Sequence, residues 1–170
     1  RYHDVRKFGK MYLIDKDKVN LVKPLSELGL EYDDNNLTKE YLIDKFKNKK
    51  LPIKSVLLDQ SIITGIGNIY ADEILFLSKL NPYKKVNELN KTDLENIIKY
   101  TKETLEKAIK EGGTTIRTYT SSEGVHGRFQ QHLLVHNKEN EKCTIEAVKK
   151  RKGRIIKKMQ KKYDNRIKNL

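Results

Sequence analysis

The chain of 170 residues has no tryptophan, one cysteine, three prolines and only four phenylalanines. Each scarcity removes a class of protein. A lone Cys143 excludes an internal disulfide and any cage of several thiolates made by this chain alone. Also missing is any run approaching the roughly 18 apolar residues that a membrane helix needs. The opening RYHDVRKFGK lacks the apolar stretch of a secretory signal. A soluble, cytoplasmic chain with no membrane partner is expected. Because it starts at Arg1 rather than Met, a fragment or a processed chain is expected as well. The 36% of hydrophobic residues, mostly Ile, Leu and Val, can build a modest core but not a large enzyme core.

Acidic residues are the other shortage: 36 Lys and Arg face 23 Asp and Glu, a formal charge of +13. The excess is concentrated. Residues 149–170 carry eleven basic residues and one acid, a balance of +10, so the first 148 residues hold only +3. Such a run suits a phosphate-binding edge, a disordered basic arm or a solvated face. Nucleic acid is the partner the charge favours. A helix lying on an acidic membrane would want a broad apolar face, and only Ile155, Ile156, Met159 and Ile167 are available for one. A basic adaptor docking on acidic proteins has nothing beyond charge in its support.

Hydrophobic spacing predicts a mainly helical chain. Residues 11–23 read as two short strands about the polar turn Asp15-Lys16-Asp17-Lys18. Asn36 or Thr38 is placed to cap a helix over TKEYLIDKFKN, which Lys/Asn-rich residues 47–50 end. From Pro52, suited to a first turn, a second helix would bury Ile53, Val56, Leu57 and Gln60. A third, NIYADEILFLSKL, would bury Ile69, Ile74, Leu75 and Leu77 to Leu80. Thr92 and Glu95 have the spacing of a capping box for a long helix through Leu94, Ile97, Leu105 and Ala108, ended by Gly112-Gly113. Beyond it, a Ser/Thr/Gly-rich loop leads into FQQHLLVHNKENEKC, which reads as a strand entering a hairpin.

The segment SIITGIGNIYADE carries the chemistry. A glycine-bearing turn feeding a helix leaves N–H groups unpaired at the positive end of the helix dipole, a ready phosphate site. The plainer reading is that Asn68 caps its own helix, with Asp72 and Glu73 answering the dipole in the first turn.

Four collinear blocks make the reading more specific. HDVRKFG near the start, LLDQSIITGIGNIYADEILF followed by NPY, GGTTIRTYTSSEGVHGRFQ, and Cys143 with Gly153-Arg154 together resemble the formamidopyrimidine-DNA glycosylase and endonuclease VIII family, and its formamidopyrimidine branch more closely. The resemblance implies an α+β, mainly α chain. It would comprise the end of an N-terminal β domain and linker (1–32), a helix-two-turns-helix domain (33–120), and a lesion-capping loop, β-hairpin finger and basic tail (121–170).

Residue roles follow from the same resemblance. Arg6 and Phe8 would fill the gap left by an extruded nucleotide, since an unstacked hole and an orphaned base call for a planar donor and an aromatic wedge. In the plainer reading Phe8 belongs to a strand core and Arg6 to its solvated face. Lys54, Gly67, Asn68 and Arg154 would grip phosphates. Arg117, Thr118 and Tyr119 would cap a flipped oxidised purine, or form only an exposed connection.

Two departures from the family stand out. Its nucleophile is an N-terminal proline followed by Glu, whereas Pro24, Pro52 and Pro82 are internal, so no catalytic residue is expected in this chain. Its finger usually holds zinc with four thiolates. Here Cys143 alone remains, with Glu146, Met159 and Lys162 at the other positions, so no bound zinc and no other cofactor is expected. His126, His132 and His136 are substitutes, but in a strand His132 and His136 would stand roughly 13 Å apart. The expected partner is damaged double-stranded DNA, bound by a monomer. The rival is a non-catalytic DNA- or RNA-binding protein that kept the helix-two-turns-helix element.

Overall fold

The computed structural model describes residues 7–114, 128–136 and 138. Among the described residues four α-helices carry the fold: α1 (Lys39–Phe46), α2 (Ile53–Leu57), α3 (Asn68–Leu77) and α4 (Lys91–Lys110). Short 3-10 segments cover Lys16–Leu21, Leu25–Glu27, Val86–Glu88 and Phe129–His132.

The apolar faces of all four helices meet in one cluster. Leu42 and Phe46 of α1, Ile53, Val56 and Leu57 of α2, Ala71, Ile74 and Leu75 of α3, and Leu94, Ile97 and Leu105 of α4 are buried there. Ile62, Ile63 and Ile66 from the turns between α2 and α3 complete it. At roughly 1.5–3 kcal/mol per fully buried aliphatic side chain, this cluster holds the helices together far more than their intrinsic propensity does.

The two turns between α2 and α3 are built by side chains. Asp59 Oδ1 accepts from Ser61 N at 3.1 Å and from its Oγ at 2.6 Å, and Tyr41 Oη donates to Ile62 O at 2.8 Å. Gln60 then staples the second turn, its Oε1 accepting from Gly65 N at 2.8 Å while Nε2 donates to Ile66 O at 2.9 Å. Gly65 has φ +87°, a conformation that costs a glycine little. Gly29 is needed for a different reason. Its N–H donates to Gln60 O at 2.8 Å, and a Cβ there would lie 2.3 Å from Ile62 O.

Several local expectations are corrected. Residues 11–23 form no strand: Lys16–Leu21 is a 3-10 helix, because the Asp15 carbonyl and carboxylate both take Lys18 and tighten the polar turn. No strand is present among the described residues, only the isolated bridges Leu30–Ile63 and Pro52–Lys85. The long helix is capped by Asn90 and Asp93, two residues before the expected pair. Pro52 is the N-cap of α2 rather than a first-turn residue. Gln60 is exposed, with its amide used on the backbone instead of the core. Within 77–80, Ser78 and Leu80 are buried, while Lys79 turns outward at φ +56°. Thr38 does cap α1, accepting from Tyr41 N at 3.2 Å, and Gly112 and Gly113 follow α4 with φ of 71° and 81°.

Candidate nucleic-acid interface

A helix begins with N–H groups that have no partner inside the helix, and three of the four helices deal with theirs. Thr38 caps α1 and the Asn90–Asp93 box caps α4. The start of α2 is covered by neighbouring carbonyls: Ile53 N donates to Lys84 O at 2.8 Å and Lys54 N to Pro82 O at 3.2 Å. α3 differs. Its N-cap is Gly67, which has no side chain to offer and makes no cap bond.

Asn68 is therefore the first helical residue and does not cap the helix, which corrects the plainer reading of this motif. Its side chain is exposed, and no described residue bonds to it. The N–H groups of Gly67, Asn68, Ile69 and Tyr70 likewise have no acceptor among the described residues. A Cβ at Gly67 would meet nothing within 4 Å, so the approach is open. The glycine-bearing turn thus presents a row of donors and one amide at the positive end of the α3 dipole, an arrangement complementary to a phosphate.

Around this start the other acidic residues are already engaged. Asp72 lies one turn after Asn68, and its Oδ1 is 2.8 Å from Lys54 Nζ. With side chains 21% and 13% exposed, this pair ties α2 to α3 and sets Lys54 beside the helix that bears Asn68. Lys54 consequently stands in an ion pair rather than directed at solvent. Glu73 is buried, 2% exposed, and does not answer the helix dipole as its position suggested. Its Oε2 accepts from Leu134 N at 2.7 Å, and its Oε1 accepts from Val135 N at 3.0 Å and His136 N at 3.1 Å.

The segment 128–136 packs against α3 and the end of α4. Arg128 N donates to Glu111 O at 2.8 Å, Phe129 and Leu133 are buried with Ala108, and the Phe129 ring meets Tyr70 edge-on at 5.7 Å. Phe129–His132 is a 3-10 turn, so the expected strand is absent here and the histidine separation reasoned from it does not apply. On the other flank, Tyr70 Oη and Thr114 Oγ1 are 3.2 Å apart. A mostly apolar cavity of about 550 Å³ lies beside these contacts, lined by Tyr32, Thr64, Gly65, Tyr70, Ala108 and Gly113 among others.

Phe8 is 80% exposed and belongs to neither buried cluster, with Lys7 before it at φ +57°. Arg6, Arg117, Thr118, Tyr119, His126, Cys143, Glu146, Arg154, Met159 and Lys162 lie outside the described residues, as do the segment expected to form the C-terminal hairpin and the basic run. Among the described residues no group of three or more His, Cys, Asp or Glu could hold a metal, and no helix is long and apolar enough to cross a membrane.

Sequence reasoning missed Glu73, Gln60 and Tyr70. For Glu73 a signal existed: it shares a helix stripe with Ile69 and Leu77, four residues to either side, where an acid needs partners from another segment.

A helix, two turns and a helix with its start left open define the helix-two-turns-helix class of domain. The family model for the formamidopyrimidine-DNA glycosylase H2TH domain matches residues 28–120, more than half of the chain. The chain is 43% identical over 145 residues to a formamidopyrimidine-DNA glycosylase of Oceanobacillus iheyensis, covering 85% of this chain and 52% of that protein. Among solved structures, the MutM (Fpg) protein of Thermus thermophilus superposes with a TM-score of 0.77 at 30% identity, over 84% of this chain and 54% of that one. The Lactococcus lactis Fpg, solved in complex with DNA containing an abasic site, superposes with a TM-score of 0.75 at 38% identity, over 83% and 52%. The chain belongs to the formamidopyrimidine-DNA glycosylase family. It spans about half the length of the relatives it matches.

Proposed function

We propose that this chain is the DNA-binding part of a formamidopyrimidine-type DNA glycosylase with abasic-site lyase activity, acting in base excision repair on oxidised purines such as 8-oxoguanine in duplex DNA. The observation that carries the reading is the uncapped α3 start at Gly67-Asn68 in a chain 43% identical to such a glycosylase. Asn68 and the N–H groups beside it hold a backbone phosphate of the damaged strand. Lys54, fixed by Asp72, keeps α2 and α3 in register and adds positive charge nearby. Arg154 and the +10 run of residues 149–170 add further phosphate contacts. Phe8 and Arg6 enter the duplex where a nucleotide is extruded, and Arg117 to Tyr119 cap the extruded base.

The chemistry itself needs an amine that attacks the sugar C1′, displaces the base and leaves a Schiff base that leads to β-elimination. Pro24, Pro52 and Pro82 carry amide nitrogens with no nucleophilic lone pair, so none of them supplies that amine. No step in this chain is assigned to zinc, for which Cys143 is the sole thiolate.

Anisotropy of a labelled duplex bearing an abasic-site analogue, measured against salt, tests this reading. The affinity should fall by at least about tenfold between 50 and 200 mM salt, with the abasic duplex preferred over an undamaged one and no adduct trapped by borohydride. Salt-independent binding, or a rapidly formed borohydride adduct on abasic DNA, would overturn it.

A further inference from the structure

We infer that Glu73 is a positioning residue. It fixes the chain that follows Leu133 to the helix whose start takes the phosphate, so that the basic run farther along the sequence is tethered from a set place. This rests on the DNA reading above.

Nothing in the core requires a carboxylate at position 73. The neighbours on α3 that share its burial are Ala71, Ile74 and Leu75, and an aliphatic side chain would fill the same space without the cost of removing a carboxylate from water. What Glu73 provides is direction. Its two oxygens gather three consecutive N–H groups, those of Leu134, Val135 and His136, at 2.7–3.1 Å. Three successive backbone donors on one carboxylate define both the place and the course of the chain there. Phe129 and Leu133 hold the preceding turn by apolar contact with Ala108, Ile69 and Tyr70, which fixes its place but tolerates sliding.

Glu73 also lies on the same ten-residue helix as Asn68, five residues later, so the two are about 7.5 Å apart along a rigid axis. Leu134–His136 is thereby referenced directly to the phosphate-binding start. The basic run of 149–170 begins thirteen residues beyond His136. A fixed departure point and direction raise the effective concentration of that run at the duplex held by α3.

The test compares two substitutions on two backgrounds, by anisotropy of the full chain on an abasic duplex at one ionic strength. Glu73→Gln keeps the shape but turns one acceptor into a donor facing N–H groups. On the native background, Arg154→Ala should weaken binding about tenfold, and on the Glu73→Gln background about twofold. Asn68→Ala should cost the same factor on both, whereas a general loss of folded protein would leave the cost of Arg154→Ala unchanged as well. Equal cost of Arg154→Ala on the two backgrounds, or no cost on the native one, overturns the proposal. A native chain in which Asn68→Ala has no effect instead overturns the DNA reading of α3. Should Glu73→Gln fail to fold, His136→Pro deletes one of the three donors and leaves Glu73 in place, and the same pattern is expected with it.

Discussion

The start of α3 and the start of α4 are opposite solutions to one problem. Both helices leave N–H groups without partners. At α4 the Asn90 side chain accepts from Asp93 N at 2.8 Å and Asp93 returns the bond to Asn90 N at 3.2 Å. At α3 the equivalent position is Gly67, and the polar side chain comes one residue later, where it cannot cap. The sequence GIGN thus trades local helix stability for a surface of donors, and the burial of Ala71, Ile74 and Leu75 behind it offsets the loss. A capped start serves the helix itself, whereas an uncapped one on a well-buried helix leaves its donors open to a ligand.

Closing the open start should have the largest effect. Gly67→Asp supplies the missing cap and places an anion where the phosphate would sit. Stability should rise by about 0.5 kcal/mol while DNA affinity falls about a hundredfold, as read from denaturant melts and anisotropy on the same sample. Opposite signs in the two measurements are the point of that variant.

Asn68→Ala removes one donor without touching the helix. An affinity loss of about tenfold is expected, since a hydrogen bond to a charged group contributes about 1.5 kcal/mol, with an unchanged melting temperature. A melting temperature that falls in step with affinity would mean that Asn68 supports the helix after all.

Asn90→Ala is the mirror experiment. Loss of that cap should cost about 1 kcal/mol of stability and leave the affinity of the folded chain unchanged. Weakened binding well below the melting temperature would erase the contrast between the two starts.

The smallest effect concerns the turn that delivers the open start. The bond from the Ser61 hydroxyl holds the Asp59 carboxyl below its usual range, with smaller contributions from Ser61 N and Lys49. A lowered folded pKa contributes stability that is present above the unfolded carboxylate pKa and is lost as pH falls through the folded one. Asp59→Asn should therefore destabilise by about 1 kcal/mol or less at pH 7, because the group is partly exposed. The difference from the native chain should vanish toward pH 2 in melts followed across pH.

Much of the helical frame was legible because local signals agree with the tertiary result. Thr38 before an apolar-periodic stretch, Gly112-Gly113 after one, and the apolar faces of α2 and α4 each point the same way in sequence and in space. The capping box lies two residues earlier than read because Thr92-Glu95 and Asn90-Asp93 both have the right spacing, and α4 starts at Lys91, which makes Asn90 the N-cap. The strands read over 11–23 failed because a short apolar stretch forms a strand only when a neighbour is present to pair with it. Among the described residues Met11, Tyr12, Leu13 and Leu21 are exposed instead. The partners of Gln60 and Glu73 could not be read from the sequence, since they are backbone groups five and about sixty residues away, although the helix stripe of Glu73 hinted that it needed some. Asn68 was singled out by its motif, but its freedom from a capping role could be read only from the geometry of Gly67.

The central claim is that DNA phosphate meets the uncapped start of α3, and amide NMR of the full chain titrated with a short abasic duplex tests it most directly. The account predicts that the largest shifts fall on the N–H groups of Gly67, Asn68, Ile69 and Tyr70, with those at the capped starts of α1 and α4 unmoved. Shifts that spare residues 67–70 while the duplex binds at saturation would contradict it.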